Sequence, residues 1–222
     1  MKRKCSRSSC RNGMMNTMFK LTLTKQAIPI RRRHDVLLIT GDGKLLELDI
    51  AQFLQWGIPH DTMCIGKSGK AYPGKIQHYA DVDADEGKWV AENLDKVYPG
   101  KINGEIIRHT LGEVDWFDAG WDLVGNPWPS EDVMWHGSTS FFAVLAGLEM
   151  RYKRIVLAGC PLDSKGHWCF PEENQGPRWT GATYQVWFEF TKDPRAALVR
   201  SLSGYTKILL GDPRKEFFDG VY

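Results

Sequence analysis

DVLLITGDG, residues 35–43, is a continuous apolar run closed by glycines. Such a run marks a strand buried on both faces, and a strand covered twice belongs to a parallel sheet with helices above and below it. A second run, RIVLAG (154–159), has the same character. It follows closely on HGSTSFFAVLAGLEM (136–150), which is apolar nearly all round and predicts a buried helix with Ser138 or Ser140 capping its start. Between these anchors, KLLELDIAQFLQWG (44–57) sets Leu45, Leu48, Phe53 and Trp56 near helical spacing, and DEGKWVAENLDKV (85–97) predicts another helix. TMCIG (62–66), IQHYADVD (76–83) and GEIIRHT (104–110) read as strands. Downstream, TYQVWFEF predicts a helix, Asp193 and Pro194 open another that runs to Gly204, and KILLG is the last strand. The predicted fold class is α/β: a single Rossmann-like, three-layer domain with a mainly parallel sheet.

Charge divides the chain. Of 29 Lys and Arg, ten lie in residues 1–33 with no acid among them, which leaves 19 against 27 Asp and Glu in residues 34–222. The organisation expected is a basic, flexible N-terminal arm (1–33) ahead of an acidic α/β body (34–222), and such an arm suits nucleic acid or an anionic surface. Met14, Met15 and Met18 offer later starts that would shorten the arm. No apolar segment approaches the ~20 residues of a membrane span. Lys20 and Lys25 interrupt the continuity a secretory signal needs, so the reading is cytoplasmic, with the five cysteines as reduced thiols. Cys160, His167 and Cys169 lack the tight pair and fourth ligand of a structural zinc site. Residues 111–136 form a Trp-rich loop whose Trp116, Trp121, Trp128 and Trp135 either pack onto the body or stack on a base or sugar.

In a parallel sheet, ligands sit beyond the carboxyl ends of the strands. The chemistry-bearing residues expected there are Gly41, Asp42 and Gly43 after the first apolar strand, and Gly159 and Asp163 after RIVLAG. His136, Gly137 and Ser138 open the buried helix, whose free N–H groups and positive dipole end suit a phosphate. Asp81, Asp83 and Asp85 form two overlapping DxD patterns, and Asp81 and Asp83, alternate residues at a strand end, share a face on which to hold Mg²⁺ against a diphosphate. His167, a group that titrates near neutrality, follows Asp163 closely enough to be oriented by it as a general base. Neither GxGxxG nor GxxxxGK[ST] occurs, and GKSGK (66–70) reads as a lysine-rich turn.

HGSTSFFAVLAGLEMRYKRIVLAGCPLD resembles the C-terminal signature of the MptE-like pterin diphosphokinase superfamily and, more distantly, of bacterial sialyltransferases that use CMP-sialic acid. VLLITGDGKLLELD is similar to their first strand and glycine loop, and IQHYADVD to the strand whose terminal acid faces the ligand. Three departures stand out: Lys44 and Leu45 replace the Pro-Ser after the glycine loop, Arg151 replaces a glycine, and the acid after Gly159 is delayed to Asp163. The resemblance implies a nucleotide-linked donor above Gly41, Gly137 and Gly159, and transfer of a sugar or a diphosphate. The expected function is therefore a nucleotide-dependent transferase, glycosyltransferase-like or diphosphotransferase-like. The alternatives are a non-catalytic binding protein with a vestigial site that docks nucleic acid or a protein through its arm, and a hydrolase using Cys160 or Cys169 with His167.

Overall fold

The computed structural model describes residues 19–82, 84–112, 114–124, 138–163 and 180–221. Eight strands and six helices alternate: β1 (Lys20–Gln26), β2 (Val36–Thr40), α1 (Leu46–Leu54), β3 (Asp61–Ile65), β4 (Ile76–Ala80), α2 (Ala84–Glu92), α3 (Leu94–Val97), β5 (Ile102–Leu111), β6 (Ala119–Val124), α4 (Thr139–Glu149), β7 (Arg154–Ala158), α5 (Thr180–Phe190), β8 (Val199–Ser201) and α6 (Gly204–Leu210). They form one 8-stranded sheet in the order β1-β6-β5-β4-β3-β2-β7-β8. Only the edge pair β1–β6 is antiparallel. The chain winds outward from β2 in one direction through β6 and in the other through β8, as in a Rossmann-like domain.

The apolar runs fold as they do because each strand serves two cores. In β2, Leu37 and Ile39 join Phe141, Phe142 and Leu145 of α4 on one face, while Val36 and Leu38 join Ile50 and Phe53 of α1 on the other. Helix α4, buried on every side from Ser140 to Leu148, is the centrepiece of the first core. It ends with the Arg151 N–H on the Leu148 carbonyl and the Tyr152 N–H on that of Gly147, which places Arg151 at φ 65. Glycine normally fills that position, and a side chain there costs about 1–2 kcal/mol.

Four elements depart from the sequence reading. Residues 20–26 of the supposed flexible arm are β1, with Phe19 and Leu21 buried against the α4 core; residues 1–18 lie outside the described residues. The alternating pattern KLTLTKQ buries one face only, which disguised a strand as a solvated basic segment. Within the Trp-rich loop, Trp121 belongs to β6 and is buried, and Trp116 packs on the α1 side with the Lys88 ammonium 4.4 Å from its ring centroid. KILLG is helical, the end of α6; the strand is Val199–Ser201, reached from a 3₁₀ turn (Pro194–Leu198) that Asp193 caps. Helix α1 buries Leu46, Asp49, Ile50 and Phe53 and exposes Leu48.

A hydrogen-bond chain crosses the α4 side of the sheet. The Trp121 indole donates to His109 Nδ1 (3.2 Å), so His109 carries its proton on Nε2 and donates to His78 Nδ1 (3.0 Å). His78 in turn donates from Nε2 to the Tyr152 hydroxyl (3.1 Å), which donates to Asp61 Oδ2 (2.8 Å). Asp61 Oδ2 also receives the backbone N–H groups of Arg33 and His34. Both histidines are fully buried, and desolvation holds them neutral: His78 is pushed down to about 4 and His109 well below its ordinary value.

Two outcomes follow for stability. Leu21→Ala is expected to cost about 2–4 kcal/mol in urea unfolding, the scale for a buried leucine, whereas a leucine in a flexible arm would cost nothing. The unfolded chain protonates His78 near 6.5 and the native chain only near 4. Stability is therefore full above pH 6.5 and falls as the pH drops toward 4, by on the order of 3 kcal/mol for His78, with His109 acting in the same direction. Replacing His78 with phenylalanine should flatten that part of the profile.

Candidate functional site

The carboxyl edge of the sheet is built around the loops that follow β2 and β7. These lie on neighbouring strands and continue to pair beyond the strand ends: the Gly41 N–H bonds the Ala158 carbonyl and the Gly43 N–H that of Gly159, both at 2.8 Å. A Cβ on Gly159, which sits at φ 64, would stand 2.5 Å from the Gly41 carbonyl oxygen, and one on Gly43 would collide with the Pro161 ring. The glycines therefore let protein approach protein. Pro161 is held in turn by the Tyr205 N–H on its carbonyl (2.7 Å), and Thr206 Oγ1 donates to the Cys160 carbonyl (2.7 Å).

Asp49 of α1 locks this junction. Its carboxyl accepts from the Gly159 N–H (2.8 Å) and the Ser203 hydroxyl (2.5 Å). Burial pushes its pKa up, against the pull of those two hydrogen bonds. The sequence reading missed Asp49, although an acid among Leu46, Ile50 and Phe53 at helical spacing is a legible sign of a buried polar contact.

Two carboxylates rise on the α1 side of the same edge. Thr40, Cys64 and Tyr79 are aligned across β2, β3 and β4, and Asp42, Gly66 and Asp81 stand two residues farther along, past the strand ends. Asp42 Oδ2 lies where a Cβ on Gly66 would be only 2.7 Å away. Asp81 accepts from the Tyr79 hydroxyl (2.8 Å). Both acids reinforce burial in raising the Tyr79 and Tyr98 hydroxyls above the ordinary tyrosine range. The underside of the turn is occupied: Tyr98 donates to the Gly66 carbonyl, Lys101 to that of Gly69, and the buried Ser68 hydroxyl to that of Thr40. GKSGK is thus a turn, as expected, with Ser68 and Gly69 facing inward and Lys70 exposed.

Of the remaining expected site residues, Ser138 is the N-cap residue of α4, but its hydroxyl bonds Ser140 Oγ (2.6 Å) and neither serine caps an N–H with its side chain. Asp163 is half-buried on the turn after β7 and contributes to raising the Tyr184 hydroxyl, whose main cause is desolvation. Asp83, His136, Gly137 and His167 lie outside the described residues, as does Cys169. Among the described residues no group of three or more His, Cys, Asp and Glu could hold a metal ion. Asp42 and Asp81 are two carboxylates, which is the number Mg²⁺ commonly takes when substrate phosphate and water complete its shell.

The described cysteines do not suit nucleophilic chemistry. Burial pushes the Cys64 thiol up to about 12 and the Cys160 thiol higher still. Among the described residues no helix is long and apolar enough to cross a membrane. No protein-family model, curated protein or solved structure matches this chain. Cys64 and Cys160 are expected to resist iodoacetamide at pH 8 in the folded protein and to react within minutes in urea; peptide mass mapping of the two states checks this.

Proposed function

We propose that the chain is a nucleotide-dependent transferase that binds a nucleotide-linked donor at the carboxyl edge of the sheet, with transfer of a sugar or a diphosphate. The observation that carries this reading is the pair Asp42 and Asp81 flanking Gly66, beside the strand at which the winding direction reverses. Ligands of open α/β sheets gather at such a point. Mg²⁺ held by Asp42 and Asp81 would supply the positive charge that a diphosphate needs beside two acids. The chain's own residues do the rest. The first-turn N–H groups of α4 and its positive dipole end suit a phosphate oxygen, and Asp163 with His167 serves the acceptor hydroxyl as proton acceptor.

A second reading is favoured by one specific contact. Pro161 packs directly over Gly43, and the paired loops fill the space that a glycine loop leaves for pyrophosphate in dinucleotide-binding folds. A binding protein that keeps the fold and has lost the chemistry would look this way.

Thermal unfolding against CMP, UDP, GDP and ATP, with and without Mg²⁺, separates the two. A nucleotide present at a hundred times its Kd stabilises the folded state by about 2.7 kcal/mol, which raises the Tm by roughly 5–10 °C for a domain of this size. The transferase reading expects that rise with one nucleotide, its dependence on Mg²⁺, and its loss in Asp42→Asn and Asp81→Asn. No rise with any of them at millimolar concentration leaves the binding protein.

A further inference from the structure

The amino end of the sheet, opposite the donor edge, carries a different chemistry. Arg31, Arg32 and Arg33 lead into β2, and Arg151, Lys153 and Arg154 lead into its neighbour β7. The Lys153 and Arg154 N–H groups both reach the Asp35 carbonyl (2.8 and 3.3 Å), so the two basic segments lie side by side. All are exposed except Arg154, which is half-buried. Arg214 and Lys215 extend the surface, because the turn that follows them gives its Phe217 carbonyl to Arg154 Nε (2.5 Å). The body as a whole is acidic, yet the acids here are few. Asp35 is already paired with Lys153 (2.6 Å) and Arg32 (3.4 Å) and Glu149 with Arg195 (3.1 Å), while Glu216 and Asp219 are exposed on the turn that carries Lys215.

Three of these arginines, Arg31, Arg33 and Arg151, have no ion-pair partner among the described residues. Arg151 is the most telling. It occupies the left-handed position that a glycine would fill without strain, and it stands between two clefts, of about 500 and 390 Å³. Arg32 lines the first and Lys153, Arg154 and Arg195 the second. The array is also fixed in place. Asp61 holds the backbone at Arg33 and His34, and the Arg32 guanidinium bonds the Arg151 carbonyl and lies 5.8 Å from the Tyr152 ring centroid.

We infer that the amino end of the sheet binds the phosphodiester backbone of a nucleic acid, without reading its sequence. Clustered, mostly unpaired arginines on rigid segments match a row of phosphates, which guanidinium groups bind in a bidentate manner. A lipid surface fits less well. The large apolar side chains most exposed in the described chain, Leu48, Trp89, Phe188 and Ile208, lie on α1, α2, α5 and α6 rather than on the arginine-bearing segments, so nothing there would insert among headgroups. This inference does not depend on the donor site, and it differs from recognition by a flexible arm because it takes Arg31, Arg32 and Arg33, at the end of that segment, as fixed on the folded body beside Arg151 and Lys153.

Fluorescence anisotropy of the full chain with a labelled 20-nucleotide single strand, the same sequence as a duplex, and an RNA strand tests it. Binding should weaken with salt, with a slope of log affinity against log salt of roughly −3 to −4 for about five phosphates on a single strand. Arg31→Glu with Arg33→Glu should lower affinity by about tenfold or more. Arg151→Gly removes one cation and relieves the backbone, so it should weaken binding roughly three- to tenfold while raising the Tm, an outcome misfolding cannot imitate. A chain in which Lys2, Arg3, Lys4, Arg7 and Arg11 are all replaced by Gln should keep most of its affinity. The inference is overturned if affinity is insensitive to salt, if the Arg31, Arg33 and Arg151 variants bind like the parent, or if the five-Gln chain alone loses binding. It is equally overturned if phosphatidylserine vesicles bind and none of the oligonucleotides does.

Discussion

The chain from Trp121 through His109, His78 and Tyr152 to Asp61 ties together parts of the sheet that no local sequence connects. It joins β6, β5, β4 and the start of β3, reaches the segment between α4 and β7, and ends on the backbone that leads into β2. Each link has a single direction of donation, so the two imidazoles have one tautomer each and must both be neutral. A buried polar group without a partner costs about 1–3 kcal/mol. Loss of one member therefore orphans its neighbours rather than deleting one bond, and the chain specifies a register for three strands at once. That rigidity reaches the surface at Arg33 and His34, where the preorganised backbone sets the arginines of the amino end.

The carboxyl edge is organised by a different lock, the Asp49 carboxyl between Gly159 and Ser203. Asp49 fixes α1 against the turn after β7, and the glycines at 41, 43 and 159 let the two loops close on each other. A side effect is that the cleft usual between such loops is taken up by Pro161 and Cys160. Asp42 and Asp81 follow the ends of β2 and β4, on either side of the Gly66 turn after β3.

What could be read in the sequence was whatever burial wrote into its periodicity. β2 and β7 declare themselves because strands covered on both faces are apolar throughout, and α4 because a helix at the centre of a core is apolar all round. β1 did not, since an edge strand with lysines at 20 and 25 carries the same signal as a solvated basic segment. KILLG was ambiguous because four apolar residues satisfy a strand and a helical turn equally. Of the site, the glycines, Asp42, Asp81, Ser138 and Asp163 were legible from type and position. Asp49, His78, His109 and Tyr152 were not placed in networks, because their partners lie 12 to 154 residues away and only the fold brings them together.

As proposed, the two ends of the sheet would meet phosphate in opposite ways. At the carboxyl edge the fixed charges are the carboxylates of Asp42 and Asp81, so an anionic ligand there would need a metal ion between them, and its affinity would depend on a third component. At the amino end the fixed charges are guanidinium groups, and release of counterions from a phosphate backbone would favour association directly. The first arrangement favours one small ligand of defined geometry; the second favours a long polymer of repeating charge and tolerates any sequence. Arg151 marks the difference. A residue held in a strained backbone conformation for the sake of its position, with no partner inside the described chain to reward it, is best explained by a partner outside it.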